Sequence, residues 1–166
     1  MARLLHEVPD AWVSVSVTTR APREGEVDGV HYHFVDSARF DELIRTDGLL
    51  EWAEYSGNRY GTPRASVEEH MARGKQVILE IEVQGAAQVR EKMPSAHLVF
   101  IEPPSLTELE RRLRERGTED EAARAARMKV AAHELSLKEE YDICLVNDDL
   151  DETVRQLVCY VDNQAE

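Results

Sequence analysis

QVILEIEV, residues 76–83, carries five apolar residues in eight, several of them β-branched, with no turn residue inside it. So dense an apolar run suits a strand covered on both faces, as strands of a parallel sheet are. HLVFI at 97–101 and ICLV, just ahead of Asn147, have the same character, whereas WVSVSV at 12–17 alternates apolar and polar residues. Between these runs the apolar period lengthens from two to nearly four. The repeated switch between strand and helix periods predicts an α/β fold built on a parallel sheet.

The helices between the strands announce their ends. Asp36 leads into Phe40, Leu43 and Ile44, and Gly48 stops that helix; Thr62-Pro63 opens a second, which Gly74 closes. Ser105 with Glu108, and Thr118 with Glu121, have capping-box spacing, so PPSLTELERRLRERG is followed by a long charged helix through about Glu140. A last helix runs from Leu150 through Val154, Leu157, Val158 and Val161. Residues 18–62 read differently, with short aromatic strands, YHFV and LLEWAEYS, and turns at DG and GN. They predict a small β-rich lobe inserted into the α/β core, with no linker or repeat marking a second full domain.

With 33 acidic against 20 basic residues, the chain has a formal net charge of −13. A balance this acidic argues against sequence-independent binding of nucleic acid or of an anionic membrane, both of which need a clustered positive surface. No apolar run has the length of a membrane span, and MARLLHEVP places Arg3, His6 and Glu7 where a signal peptide needs an apolar core, so the sequence reads as cytoplasmic. Cys144 and Cys159 fit neither a metal knuckle nor a redox pair and are expected to be buried free thiols. His31 and His33 share a strand face without a third ligand nearby, and read as structural.

Against this acidic background TTRAPREGEVDGVHYHF, residues 18–34, sets Arg20 and Arg23 around Pro22. A guanidinium fork matches two phosphate oxygens, so the pair can converge on one phosphate; the alternative is that both sit in solvated salt bridges. Tyr32 and Tyr60, in HYHF and GNRYGTP, offer hydroxyls to an anion or else simply pack the lobe. Glu51 alternates with the apolar residues of LLEWAEYS, which turns its carboxylate toward the face of Tyr60. Guanine presents two N–H donors along one edge with a carbonyl acceptor above, and a carboxylate beside a hydroxyl complements that edge. Adenine offers an acceptor there and would leave the carboxylate unpaired.

SVSVTTRAPREGEVDGVHYHF, EWAEYSGNRYGTP, LEIEVQGA, FIEPPS, RRLRERGTE and VNDDLD, in this order and spacing, resemble the guanylate kinases over nearly the whole chain. The resemblance implies a single domain over residues 1–166 with a P-loop nucleoside-monophosphate-kinase fold, a GMP-binding lobe at about 16–75 and a helical lid at about 112–130. It implies magnesium-dependent transfer of the terminal phosphoryl group of ATP to GMP in purine nucleotide metabolism. Carried over residue by residue, Arg20, Arg23, Tyr32 and Tyr60 would hold the GMP phosphate, with Arg20 also catalytic, while Ser16, Glu51, Thr62 and Glu82 would read guanine. Arg112, Arg116 and Arg127 would serve the ATP phosphates and the transfer itself, Asn147 would lie on the adenine side, and Glu80 would approach the metal through water. Glu80 and Glu82 stand where the family commonly has aspartates, so each carboxylate reaches one methylene further.

One segment has no counterpart. Members of the family carry a buried strand and a G-x-x-x-x-G-K-[ST] loop ahead of the helix that ARLLHEV finishes, and here no glycine precedes Gly25. The first, central strand and the phosphate-gripping lysine are therefore expected to be missing, through a fragment or internal start, a deliberate truncation, or descent into a non-catalytic relative. The intact GMP-side residues favour the first origin. A second reading is a guanylate-kinase-like protein-interaction domain, which GMP binding would distinguish from the kinase lineage.

Overall fold

A computed structural model describes residues 2–116 and 121–164. The chain forms two compact units, 1–96 and 97–166. In the first, α1 (Ala2–Glu7) and β1 (Ala11–Val13) precede β2 (Val17–Thr18), β3 (His33–Phe34), α2 (Ser37–Arg45), β4 (Leu49–Tyr55), β5 (Asn58–Pro63), α3 (Arg64–Ala72), β6 (Gln76–Ile78) and α4 (Val83–Lys92). β1 and β6 pair in parallel, and a separate four-stranded sheet has the order β3-β2-β5-β4. The second unit holds β7 (Val99–Glu102), α5 (Leu106–Arg116), α6 (Glu121–Ser136), a short 3₁₀ turn, β8 (Ile143–Val146) and α7 (Leu150–Asn163), with β7 and β8 parallel. The α/β architecture is thus present, and the expected β-rich lobe is the four-stranded sheet.

Two of the anticipated strands break. WVSVSV divides after Val13: the Ser14 amide still donates to Ile78 O at 3.0 Å, whereas Val17 pairs with His33 and Gly61 in the other sheet. QVILEIEV pairs only over its first three residues, opposite Ala11–Val13, where β1 ends; further on Glu82 caps α4, its carboxylate accepting from the Gly85 amide at 2.8 Å. The expected turn at GN lies one residue earlier. Ser56 and Gly57 have φ of 51° and 74° and make a two-residue connection between β4 and β5 whose left-handed backbone suits the twist of a hairpin.

Helix ends follow the sequence more closely. Asp36 caps α2 by accepting from the Arg39 amide at 2.8 Å, Pro63 occupies the N-cap of α3, and Gly74 stands beyond its last turn at φ 73°. The capping box at Ser105 is half made: Ser105 Oγ accepts from the Glu108 amide at 3.0 Å, but the Glu108 carboxylate turns to Arg111 and Arg112. Thr118 lies outside the described residues.

β4 ties two apolar clusters together. Leu49 joins Val17 and Phe40, with Val35, Leu43 and Ile44 against them, while Leu50 joins Val67 and Val89, with Val77, Leu79 and Ile81 alongside. A register irregularity between Leu49 and Glu51 accompanies the burial of three consecutive residues there. β4 is the edge of its sheet, and α4 covers that edge with side chains: the Trp52 amide donates to Gln88 Oε1 (3.2 Å), Gln88 Nε2 donates to Trp52 O (2.6 Å), and Lys92 Nζ donates to Leu50 O (2.7 Å). Edge groups that would otherwise need water or another strand are satisfied, and Glu51, between the two bonded residues, is held against α4.

The expectation of two buried thiols is overturned, since Cys144 and Cys159 are both exposed. Only one face of β8 is covered. Leu145 is buried while Cys144 and Val146 to either side are exposed, so ICLV is a half-covered strand. Among the described residues no helix is long and apolar enough to cross a membrane.

Candidate functional site

The arginine pair belongs to the loop leaving β2. Thr18, fully buried, donates its hydroxyl to Arg59 O at 3.0 Å and accepts the Arg20 amide at 3.1 Å, which fixes the backbone where the loop begins. The Arg20 guanidinium then grips Glu26 with two parallel bonds, Nη1 to Oε2 at 2.9 Å and Nη2 to Oε1 at 2.8 Å, and Nη1 also donates to Ala21 O at 2.9 Å. Glu26 Oε2 accepts the Arg23 amide at 2.7 Å as well. With 14% and 17% of their side chains exposed, Arg20 and Glu26 are largely shielded from water. The bonds from Arg20, with the Arg23 amide next, hold the Glu26 carboxyl down at about 2, and the Arg23 charge adds to the same effect. Arg20 through its guanidinium and Arg23 through its backbone amide thus meet one carboxylate.

Aromatic rings wall this cradle. The Arg20 guanidinium carbon lies 5.3 Å from the Tyr32 ring centre and 5.7 Å from that of Phe34, and Tyr32 meets Tyr60 edge-on at 6.0 Å. The Arg20 pKa is raised above its ordinary value chiefly by the bond to Glu26, with burial opposing and Tyr60 adding a smaller favourable interaction. Tyr60 stands opposite Thr18 on β2 and Ala53 on β4. One step of the pleat further along β5, Thr62 stands opposite Glu51, so Tyr60, Thr62 and Glu51 share a sheet face, as the alternation of LLEWAEYS implied.

Glu51 is 4% exposed and Thr62 1%, and the Thr62 hydroxyl donates to Glu51 Oε1 at 2.6 Å. Burial raises the Glu51 carboxyl above its ordinary range; the Thr62 bond opposes this, and the Glu82 charge adds to it. Glu82 sits half-buried at the N-terminus of α4, and Glu80 is exposed on the loop between β6 and α4. Ser16, half-buried just before β2, accepts the His33 amide at 2.9 Å through its carbonyl. Among the described residues no group of three or more His, Cys, Asp or Glu could hold a metal by itself.

In the second unit Arg112 and Asn147 come together. Arg112 Nη1 donates to Asn147 O at 3.0 Å and its Nε to Glu108 Oε1 at 2.7 Å, while the Asn147 amide continues the strand pairing by donating to Glu102 O at 2.7 Å. Arg111 first, then Arg112, holds the Glu108 carboxyl at about 2. Arg127 lies half-buried on α6. The side chain of Arg116 lies outside the described residues.

Three neighbours of these residues escaped the sequence reading: Thr18, which sets the backbone of Arg20; Glu26, which fills its fork; and Gly85, against which the Glu51 carboxylate rests. Glu26 stands three residues after Arg23, a turn spacing that a search for an acidic partner could have used.

An α/β fold with a guarded arginine cradle beside a buried carboxylate describes a nucleotide-binding protein. The family model for guanylate kinase matches residues 1–164. A guanylate kinase of Synechococcus sp. (strain CC9311) is 52% identical over 157 residues, covering 95% of this chain and 83% of the relative. One from Thermobifida fusca is 52% identical over 153 residues, 92% of this chain and 78% of the relative. The crystal structure of guanylate kinase from Anaplasma phagocytophilum superposes with a TM-score of 0.84 at 38% identity, over 99% of this chain and 79% of that one. The chain belongs to the guanylate kinase family, an enzyme family of nucleotide-binding transferases.

Proposed function

We propose that the first unit binds GMP and that the chain serves phosphoryl transfer from ATP to it. The observation that carries the reading is the buried pair of Glu51 and Thr62, on the sheet face that also bears Tyr60. A carboxylate removed from water and pushed toward its neutral form is costly to keep, and a ligand edge with two N–H donors is the partner that would offset the cost. Arg20 and Arg23, with the hydroxyls of Tyr32 and Tyr60, take the phosphate, which replaces or joins Glu26 in the guanidinium fork. Ser16 and Glu82 complete the base site.

On the donor side, Arg112, Arg116 and Arg127 serve the ATP phosphates and Asn147 the adenine. A magnesium ion bound with the nucleotide would neutralise phosphate charge. The single exposed carboxylate of Glu80 fits an ion that keeps water and phosphate oxygens as most of its ligands. No G-x-x-x-x-G-K-[ST] stretch occurs in these 166 residues, so phosphoryl transfer by them alone is expected to run orders of magnitude below the roughly 1–100 s⁻¹ common among kinases. Titration calorimetry with GMP, AMP and guanosine tests the binding half, and a coupled ADP-release assay the transfer. Micromolar GMP binding, with AMP and guanosine each at least tenfold weaker, supports the site. Equal binding of all three, or none, overturns it.

A further inference from the structure

Beside the Glu51 carboxylate the chain has a residue with no side chain. Gly85, the third residue of α4, is buried, and its amide is taken by Glu82 Oε1 at 2.8 Å. A Cβ placed there would fall well inside van der Waals contact of Glu51 Oε2 and lie 3.1 Å from Glu51 Cδ, while the next neighbour, Ile81 Cβ, is an ordinary 3.4 Å away. Only the carboxylate is crowded. Gly85 has no left-handed backbone to account for it, and inside a helix alanine would be the better residue on propensity.

We infer that Gly85 is a specificity-determining positioning residue: by lacking a side chain it lets Glu51 Oε2 lie against the first turn of α4, in the orientation that accepts both N–H donors of a guanine edge. The inference rests on the guanine reading of Glu51 given above. A methyl group at Gly85 leaves the carboxylate two ways out. It can swing about the Thr62 bond and lose that bond's 2.6 Å geometry, or move toward Glu82, whose charge already disfavours the ionised form of Glu51. Either displacement misaligns the acceptor pair, and misplacement on this scale is felt strongly in a built site. The main chain on both sides is anchored by Gln88 and Lys92, so β4 cannot shift to accommodate the methyl.

The test is a double-mutant cycle of wild type, Gly85→Ala, Glu51→Ala and the double variant, with GMP and AMP binding measured by calorimetry and Tm by scanning calorimetry. Gly85→Ala is expected to lose at least tenfold in GMP affinity with no comparable loss for AMP, in a chain that still melts cooperatively. In the Glu51→Ala background the same change should leave the GMP:AMP ratio where Glu51→Ala put it. Retention of the wild-type ratio by Gly85→Ala, or a loss that adds in full to that of Glu51→Ala, overturns the inference alone. A wild-type chain with no preference for GMP overturns the guanine reading and the inference with it. Should Gly85→Ala fail to fold, the double variant decides: it folds as stably as Glu51→Ala if the methyl meets only this carboxylate, and its failure to fold overturns the inference.

Discussion

Replacing Arg20 with Ala separates phosphate recognition from base recognition. The substitution deletes a guanidinium that makes two bonds to Glu26 and one to Ala21 O and lies over Tyr32, while Glu51 and Thr62, on other strands, keep their bond. GMP and guanosine differ only in the phosphate, so guanosine affinity should hold. Charge-assisted hydrogen bonds contribute about 1.5–3 kcal/mol, which corresponds to a loss of roughly 10- to 150-fold in GMP affinity. The geometry favours the upper end. Without Arg20 the Glu26 carboxylate loses both guanidinium donors and keeps only the Arg23 amide and charge to offset it, leaving a poorly compensated negative charge facing the phosphate. Adding Glu26→Gln to Arg20→Ala should therefore recover part of the loss, although it removes another member of the cradle. Calorimetry with both ligands on the two variants and wild type is sufficient. An equal loss for GMP and guanosine would refute phosphate recognition by Arg20, and a double variant no better than Arg20→Ala would refute the stranded charge.

Glu51→Gln, which keeps size but can present an amide N–H toward the guanine donors, should narrow the GMP over AMP preference; an unchanged ratio would make Glu51 purely structural. Phe40→Ala removes a fully buried ring that packs with Val17 and Leu49, so urea denaturation should register a loss of about 3–5 kcal/mol. Asp36→Ala deletes the side-chain cap of α2 and should cost about 1 kcal/mol in the same measurement, a tenth of that being evidence against the cap. Because burial raises the Glu51 pKa, the folded chain holds that proton more tightly than the unfolded chain, and this group's contribution to stability falls as pH rises from its ordinary 4.5 through the raised value. Comparing wild type with Glu51→Gln across that window isolates the effect, and a difference in Tm that stays flat with pH would contradict it.

What the sequence made legible was periodic or local. Alternation placed Glu51 on the face of Tyr60, and the caps at Asp36 and Gly74 lie where their residue types put them. What it concealed was which of several available partners a residue takes, near or far along the chain. WVSVSV alternates throughout, yet Val13 and Val17 serve different sheets, and nothing in a period of two records a change of partner. QVILEIEV is apolar enough for a full strand, but its partner β1 ends at Val13, and Glu82 caps the helix that follows. Glu26 was hidden among 33 acidic residues, since spacing alone does not tell a solvated glutamate from one held in an arginine fork. Gly85 was hidden because its role is the space it leaves, and that space is defined by a residue 34 positions earlier.

The residues of the candidate site have a common physical character. Each departs from what its own segment prefers: a glutamate buried mid-strand at Glu51, a glycine inside a helix at Gly85, and an arginine closing on the nearby Glu26 instead of extending into water. Such departures lower stability unless something outside the segment compensates, and chains tend to tolerate them where they serve a site. Glu51 and Gly85 are linked by the same contact, so the buried charge and the weakened helix are one departure, held in register by Gln88 and Lys92 across the edge of β4. The arginine cradle is separate from it in sequence but joined to it through β5, where Tyr60 and Thr62 alternate with Gly61, buried against the Glu51 carbonyl and Trp52 Cβ with no room for a side chain. If, as proposed, Glu51 and Thr62 read the base and the arginine cradle takes the phosphate, mounting them two residues apart on one strand would keep a fixed separation, and that spacing would favour a nucleoside monophosphate over a free base or free phosphate.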